Sequence, residues 1–178
     1  IQSLTNIQVR ALIASQIQLL TSVQIIALTT EQIALLTTYQ VSSVLTSAQV
    51  VAIETEDIVA LVTSQIVSLT TYQISSVLST TQVKAIETVD IDVLTTAQII
   101  SLITYQVTIL SNAQVTAIST QNISKLETSQ VAVFTTLQLS SVILSGQISA
   151  LNTTSVVILS SAQIISFLNY TIEWSKIE

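Results

Sequence analysis

The chain has 178 residues, 49% hydrophobic and 8% charged, with net charge −6, one Gly and no Pro, Cys, Met or His. Without Cys or His there is no disulfide framework, thiolate chemistry or His/Cys zinc site. Four basic residues, Arg10, Lys84, Lys125 and Lys176, give no electrostatic footing for nucleic acid or an anionic membrane. Mean hydropathy is +0.74, yet Thr, Ser or Gln interrupts every stretch before it nears the roughly 18 to 20 apolar residues of a membrane-spanning helix.

From Leu4 to Trp174 the chain repeats one eight-residue phrase, Leu-Thr-Thr-x-Gln-Ile-x-x, as in Leu28–Leu35 and Leu94–Ser101. Its fifth position is Gln at 8, 16, 24, 32, 40, 49, 65, 73, 82, 98, 106, 114, 130, 138, 147 and 163, and Asp57, Asp90, Asn122, Ser155 or Thr171 elsewhere, which makes 21 units. Position one is almost always Leu or Ile, and position six is Ile, Val or Leu throughout. Positions four and seven accept nearly any residue, including Arg10, Glu31, Tyr39, Lys84 and Gly146. The fixed positions are expected to face the interior or the backbone, and the free positions water.

A slower rhythm begins at Tyr39. Tyr39, Tyr72 and Tyr105 are 33 residues apart, Leu137 follows 32 later and Tyr170 another 33 later. Asp57, Asp90, Asn122 and Ser155 keep the same beat. Four octads therefore form one coil of about 33 residues, with equivalent residues stacked on successive coils. An extra residue near Val44, Val77 and Val142 is expected to mark a corner.

Thr-x-x-Gln before an apolar residue is a capping box, in which a hydroxyl accepts from an early helix N–H and Gln reaches back to the cap. Thr29 to Gln32 and Thr95 to Gln98 fit directly, whereas Val62-Thr63-Ser64-Gln65 and Ile103-Thr104-Tyr105-Gln106 lack the first hydroxyl. There the second Thr would have to cap, so the frame is open by one residue. A single continuous helix is excluded, because each octad leaves its apolar positions about 80° out of register with the last. A β-solenoid is the alternative architecture. Against it, positions one and six have opposite parity on a strand, and turns every eight residues would call for more Gly or Pro. We expect an all-α solenoid of short helices, each restarted by Thr and Gln and held by packing between coils. Residues 1–178 would form one elongated domain, with five coils spanning on the order of 50 Å. The segment 167–178, with the only Trp and denser charge, would cap it.

Two groups of residues carry the candidate sites. Glu54, Asp57, Glu87 and Asp90 place carboxylates on neighbouring coils and are candidate Ca²⁺ ligands. The alternative is a solvated acidic face with Asp as a helix-start residue in place of Gln, which the Asn122 and Ser155 of later coils favour. Tyr39, Tyr72, Tyr105 and Tyr170 form a candidate contact strip for a polysaccharide, a partner protein or another copy. The bland counterpart is an aromatic covering each corner. No catalytic constellation and no cofactor site is discernible, and an enzyme is not expected.

Long runs of Leu-Thr-Thr-x-Gln-Ile/Val-x-x resemble the octad-repeat regions of very large bacterial surface and secreted adhesin-like proteins, a likeness that covers essentially the whole chain. That resemblance implies an extracellular or cell-surface stalk, spacer or fibre-forming segment, associating with itself or with adjoining segments, with no membrane insertion. The Gly- and Asp-rich calcium nonapeptide of some such proteins is missing.

Overall fold

The computed structural model describes residues 1–143 and 145–174, excepting the side chains of 141, 145, 167 and 169–174. It is all-α: among the described residues nineteen helices of four to six residues follow one another and lead into the longer Ser161–Trp174, and no strand is present. The β-solenoid alternative is therefore set aside. The chain divides into two compact units, Ile1–Leu94 and Thr95–Glu178, each built from the same stacked coils of short helices.

One octad makes one helix, except that Ser161–Trp174 runs through two. Its Thr or Ser leaves the helical region, as in Thr46 (φ −70°, ψ 160°), and accepts from the N–H three residues on. A helix of four to six residues follows, such as Ser47–Val51 or Thr63–Ser68, and the next Leu turns the chain out again, as Leu61 does at φ −60°, ψ 131°. Only right-handed helical and extended conformations are used, and no described residue has positive φ. That is how a chain with one Gly and no Pro turns every eight residues: the turn is a helix start. Such helices are too short to persist alone.

Burial supplies what propensity does not. Position six is completely covered in the inner coils, with Ile33, Ile66, Ile74, Val83, Ile91, Ile99, Val115 and Val131 all at 0% exposure. The Leu three residues later folds back beside it, so each octad inserts one pair, such as Ile66 with Leu69 or Ile99 with Leu102. Each such side chain contributes about 1.5 to 3 kcal/mol when fully buried. In both units, helices pack on helices three octads away: Thr30–Ala34 on Thr55–Ala60, and Thr128–Ala132 on Thr153–Val157.

The extra residue of the longer phrases does not make a corner between helices. Gln40–Val44, Gln73–Val77 and Gln138–Val142 are single π-helical turns. Leu45, Leu78 and Ile143 donate their N–H groups to the carbonyls of Gln40, Gln73 and Gln138 five residues back, at 2.8 to 2.9 Å. Widening one turn absorbs the residue and returns the next apolar side chain to the core. The octad at Leu102 carries Tyr105 without the insertion, and it forms the ordinary helix Thr104–Ile109.

Candidate functional site

The repeated Gln is the organising side chain, and it acts in two directions. In Gln49, Oε1 accepts from the Thr46 N–H at 2.9 Å, closing the capping box of its own helix. Its Nε2 donates to the carbonyls of Ile17 and Leu20, both at 2.7 Å, where a helix of the preceding coil ends. Gln82 does the same with Ser79 N–H (2.9 Å) and the Val50 and Ile53 carbonyls (2.7 and 2.8 Å). In the second unit Gln147 donates to the Val115 and Ile118 carbonyls, and Gln163 to those of Ala132 and Phe134. A buried amide thus satisfies one orphan N–H above and, below, the orphan carbonyl of the turn residue such as Leu20 or Ile53, while sharing the position-six carbonyl with a backbone N–H.

The register of these bonds follows the coil length. Gln82 reaches back 32 and 29 residues, whereas Gln130 reaches 31 and 28, to Ile99 and Leu102. The one-residue difference is the π-turn residue, present between the partners in the first case and absent in the second.

The capping frame, open by one residue in the sequence where the first hydroxyl is missing, is not shifted at Val62 and Ile103. Val62 and Ile103 remain the caps, and their N–H groups donate to Gln65 and Gln106 Oε1 at 2.7 and 3.0 Å. Valine and isoleucine accept nothing in return, so only the Gln half of the box survives there. Glu127 behaves likewise toward Gln130.

The ladder breaks at one octad of each coil, at Asp57 and Asp90 in the first unit and at Asn122 and Ser155 in the second. All four are buried, with 4% of Asp57 and 3% of Asp90 exposed. These two aspartates are therefore not a solvated acidic face, although Glu54, Glu56, Glu87 and Asp92 around them are exposed. An aspartate can take the N–H half of the Gln role but has no amide to donate downward. Burial pushes the Asp57 carboxyl above its ordinary value of 3.8; the Thr30 hydroxyl opposes the shift, the charges of Glu54 and Glu56 add to it, and the Glu54 N–H opposes it. Asp90 Oδ1 and Ser155 Oγ are buried without a hydrogen-bond partner. Asn122 accepts at Oδ1 from the Thr96 hydroxyl at 2.8 Å.

The calcium candidates are not assembled as a set. Asp57 and Asp90 point into the stack as third residues of their helices, while Glu54 and Glu87 sit exposed at the caps. Among the described residues no group of three or more His, Cys, Asp or Glu is placed to hold a metal. An open groove of about 330 Å³ runs beside this region, lined by Ile26, Val51, Glu54, Glu56, Ser79 and Thr81 among others, without Asp57 or Asp90.

Tyr39, Tyr72 and Tyr105 are exposed at 64%, 63% and 61%, each just before its helical Gln. Tyr39 and Tyr72 lie in the first unit, each followed by a Ser pair on its π turn, Ser42–Ser43 and Ser75–Ser76, with hydroxyls 3.1 Å apart. Of the expected cap at 167–178, the backbone of 167–174 continues the helix Ser161–Trp174, while residues 175–178 and most of the side chains, Tyr170 included, lie outside the described residues.

The downward reach of Gln is the part of the site not read from the sequence. A capping box tolerates Glu as readily as Gln, yet none of the 21 units has Glu at this position. A free Oε1 acceptor is common to both residues; only Gln adds the donor.

No helix among the described residues is long and apolar enough to cross a membrane. No curated protein and no solved structure matches the chain. A family model for the ALTTAQ repeat matches residues 50–85 and 83–120, the second match including Leu94-Thr-Thr-Ala-Gln98. The chain thus contains the ALTTAQ repeat, and what its phrase encodes is the start of one short helix and the seat for the next coil.

Proposed function

We propose that the chain is a non-enzymatic structural module, a stalk, spacer or fibre-forming segment of a bacterial surface or secreted protein. The observation that carries this is the ladder itself. The same Gln-to-carbonyl bonds recur in both units, so the conserved chemistry of the phrase is spent on stacking coils. Such an array can be lengthened by whole coils without a new core, which suits a spacer. The likeness to repeat regions of large surface proteins supports the location. Antibodies raised against the 178-residue chain should label intact cells of the source organism, or its culture medium, without permeabilisation. Labelling that appears only after the cells are opened would remove the surface role.

The exposure of Tyr39, Tyr72 and Tyr105 favours a second reading, a module that binds a polysaccharide or a partner protein through this strip. Replacing all three with Ser leaves the coil interior untouched. On this second reading, retention on a cell-wall polysaccharide column should fall with an unchanged circular dichroism spectrum; equal retention of variant and parent removes the Tyr strip as a binding surface.

A further inference from the structure

The exposed tyrosines are not equivalent, and the difference lies in what shares the helical face of each ring. Tyr39 and Tyr72 stand directly before the π turns Gln40–Val44 and Gln73–Val77. Ser42 and Ser43 follow Tyr39 by three and four residues, and Ser75 and Ser76 follow Tyr72 likewise, the spacing that puts side chains on one face. Ser43 and Ser76 are exposed, Ser42 and Ser75 half-buried. Within each pair the hydroxyl oxygens lie 3.1 Å apart, so one hydroxyl donates to the other and the second O–H is left for a ligand. Tyr105 has no such pair. Thr108 and Ile109 take those places, the Thr108 hydroxyl is engaged by the Tyr105 carbonyl at 2.6 Å, and the helix Thr104–Ile109 has no π turn.

The Tyr39 ring is open sideways from the stack. Its turn is tied on one side, where Gln40 donates to the Leu12 carbonyl at 3.0 Å, and on the other, where Gln73 donates to the Val41 carbonyl at 2.8 Å. With a coil on either side inside the first unit, Tyr39 is still 64% exposed, so its exposure does not come from an end of the sequence.

The setting is also uncharged. Neither residues 36–44 nor residues 69–77 contain Asp, Glu, Lys or Arg. The same holds for helices packed on the two turns, Ala14–Gln18 and Thr63–Ser68 against the first and Ser47–Val51 against the second. The exposed carboxylates of the unit stand in other octads, at Glu31, Glu54, Glu56, Glu87 and Asp92. An aromatic face stacks on the C–H face of a sugar ring, and hydroxyls beside it exchange hydrogen bonds with sugar hydroxyls. A charged polymer finds no counter-charge here, and an anionic one meets a net charge of −6.

We propose that Tyr39 with Ser42 and Ser43, and Tyr72 with Ser75 and Ser76, are two seats for the sugar rings of an uncharged polysaccharide, and that Tyr105 is not one. The inference rests on the Tyr-strip reading and narrows it to two of the three tyrosines and one class of ligand.

Affinity electrophoresis of the 178-residue chain tests it, in native gels holding hydroxyethyl cellulose, mixed-linkage β-glucan, galactomannan or dextran, with polygalacturonate as the anionic comparison. At least one neutral polymer should retard the chain, with no loss when salt is raised, and polygalacturonate should not. The variant Tyr39→Leu, Tyr72→Leu should match the parent in circular dichroism, because Leu137 holds the same place before the third π turn. It keeps an apolar contact without a ring, and each replacement should weaken binding about tenfold. Ser43→Ala with Ser76→Ala should weaken it about threefold or more, and Tyr105→Leu should change nothing. Retardation by none of the neutral polymers, or equal retardation by polygalacturonate, overturns the proposal. So does undiminished binding by Tyr39→Leu, Tyr72→Leu, the behaviour of an apolar protein contact. Equal losses from Tyr39→Leu, Tyr72→Leu and Tyr105→Leu taken singly would overturn the hydroxyl-paired seats and leave the Tyr strip standing; no loss from any of them removes the strip as well.

Discussion

Gln82→Met should destabilise the first unit by about 2 to 4 kcal/mol, because it leaves the Ser79 N–H and the Ile53 carbonyl without a partner at about 1 to 3 kcal/mol each, while the Val50 carbonyl keeps the Ile53 N–H. Methionine matches glutamine in length and apolar fit, so packing changes little and the loss reports hydrogen bonding. The three bonds at stake are those to Ser79 N–H, the Val50 carbonyl and the Ile53 carbonyl. Urea denaturation should show the midpoint falling with the slope nearly unchanged. Gln82→Glu separates the two directions of the side chain. It keeps the acceptor for Ser79 and loses only the donor, so its cost should be large at neutral pH and shrink in acid, where a protonated carboxyl can again donate. Equal losses at both pH values would mean that the downward bonds contribute little.

Asp57→Gln should do the opposite and stabilise the chain by about 1 to 3 kcal/mol at neutral pH, by restoring a rung of the ladder. Counting back 32 and 29 residues as Gln49 and Gln82 do, the new amide would meet the carbonyls of Ile25 and Leu28. The sign of the pH dependence follows from the raised carboxyl. Folding favours the protonated form of Asp57, so its contribution is greatest below the unfolded value of 3.8 and is lost as pH rises through its higher folded value. The advantage of the Gln variant over the parent should therefore widen from acid toward neutral pH and then level off. Asp57→Asn should remove the same pH dependence with a smaller gain, since its shorter amide reaches less far. Urea denaturation of the three chains at several pH values checks this; a parent more stable than Asp57→Gln at neutral pH would show that the aspartate is better satisfied than its surroundings indicate.

Much of this was legible in the octad. Its length excluded a continuous helix, and the Thr-x-x-Gln spacing identified helix starts. The 33-residue beat of Tyr39, Tyr72 and Tyr105 gave the coil. Four things were not legible, each for a physical reason. The extra residue in the Tyr39 and Tyr72 phrases could lie between helices or inside one, and spacing alone does not separate a corner from a π turn. The cap at Val62 and Ile103 stays open by one residue in the sequence, because the missing hydroxyl points to the second Thr, whereas Gln65 and Gln106 hold the frame without it. The acidic column was read as solvent-facing because carboxylates usually are; Asp57 and Asp90 instead inherit a buried position fixed by the repeat, and their charge has to be accommodated there. The direction of the Gln amide needed the stacked coils themselves, since its partners lie about 30 residues away.

The central claim is that the repeated Gln amides, and not merely Leu and Ile burial, join coil to coil. Hydrogen exchange of the Gln side-chain amides, followed by NMR at concentrations where the chain is monomeric, addresses it directly. The Nε2 protons of Gln49, Gln73 and Gln82 donate to buried carbonyls and should exchange orders of magnitude more slowly than those of Gln8, Gln16 and Gln24. Uniformly fast exchange across all six would contradict the ladder.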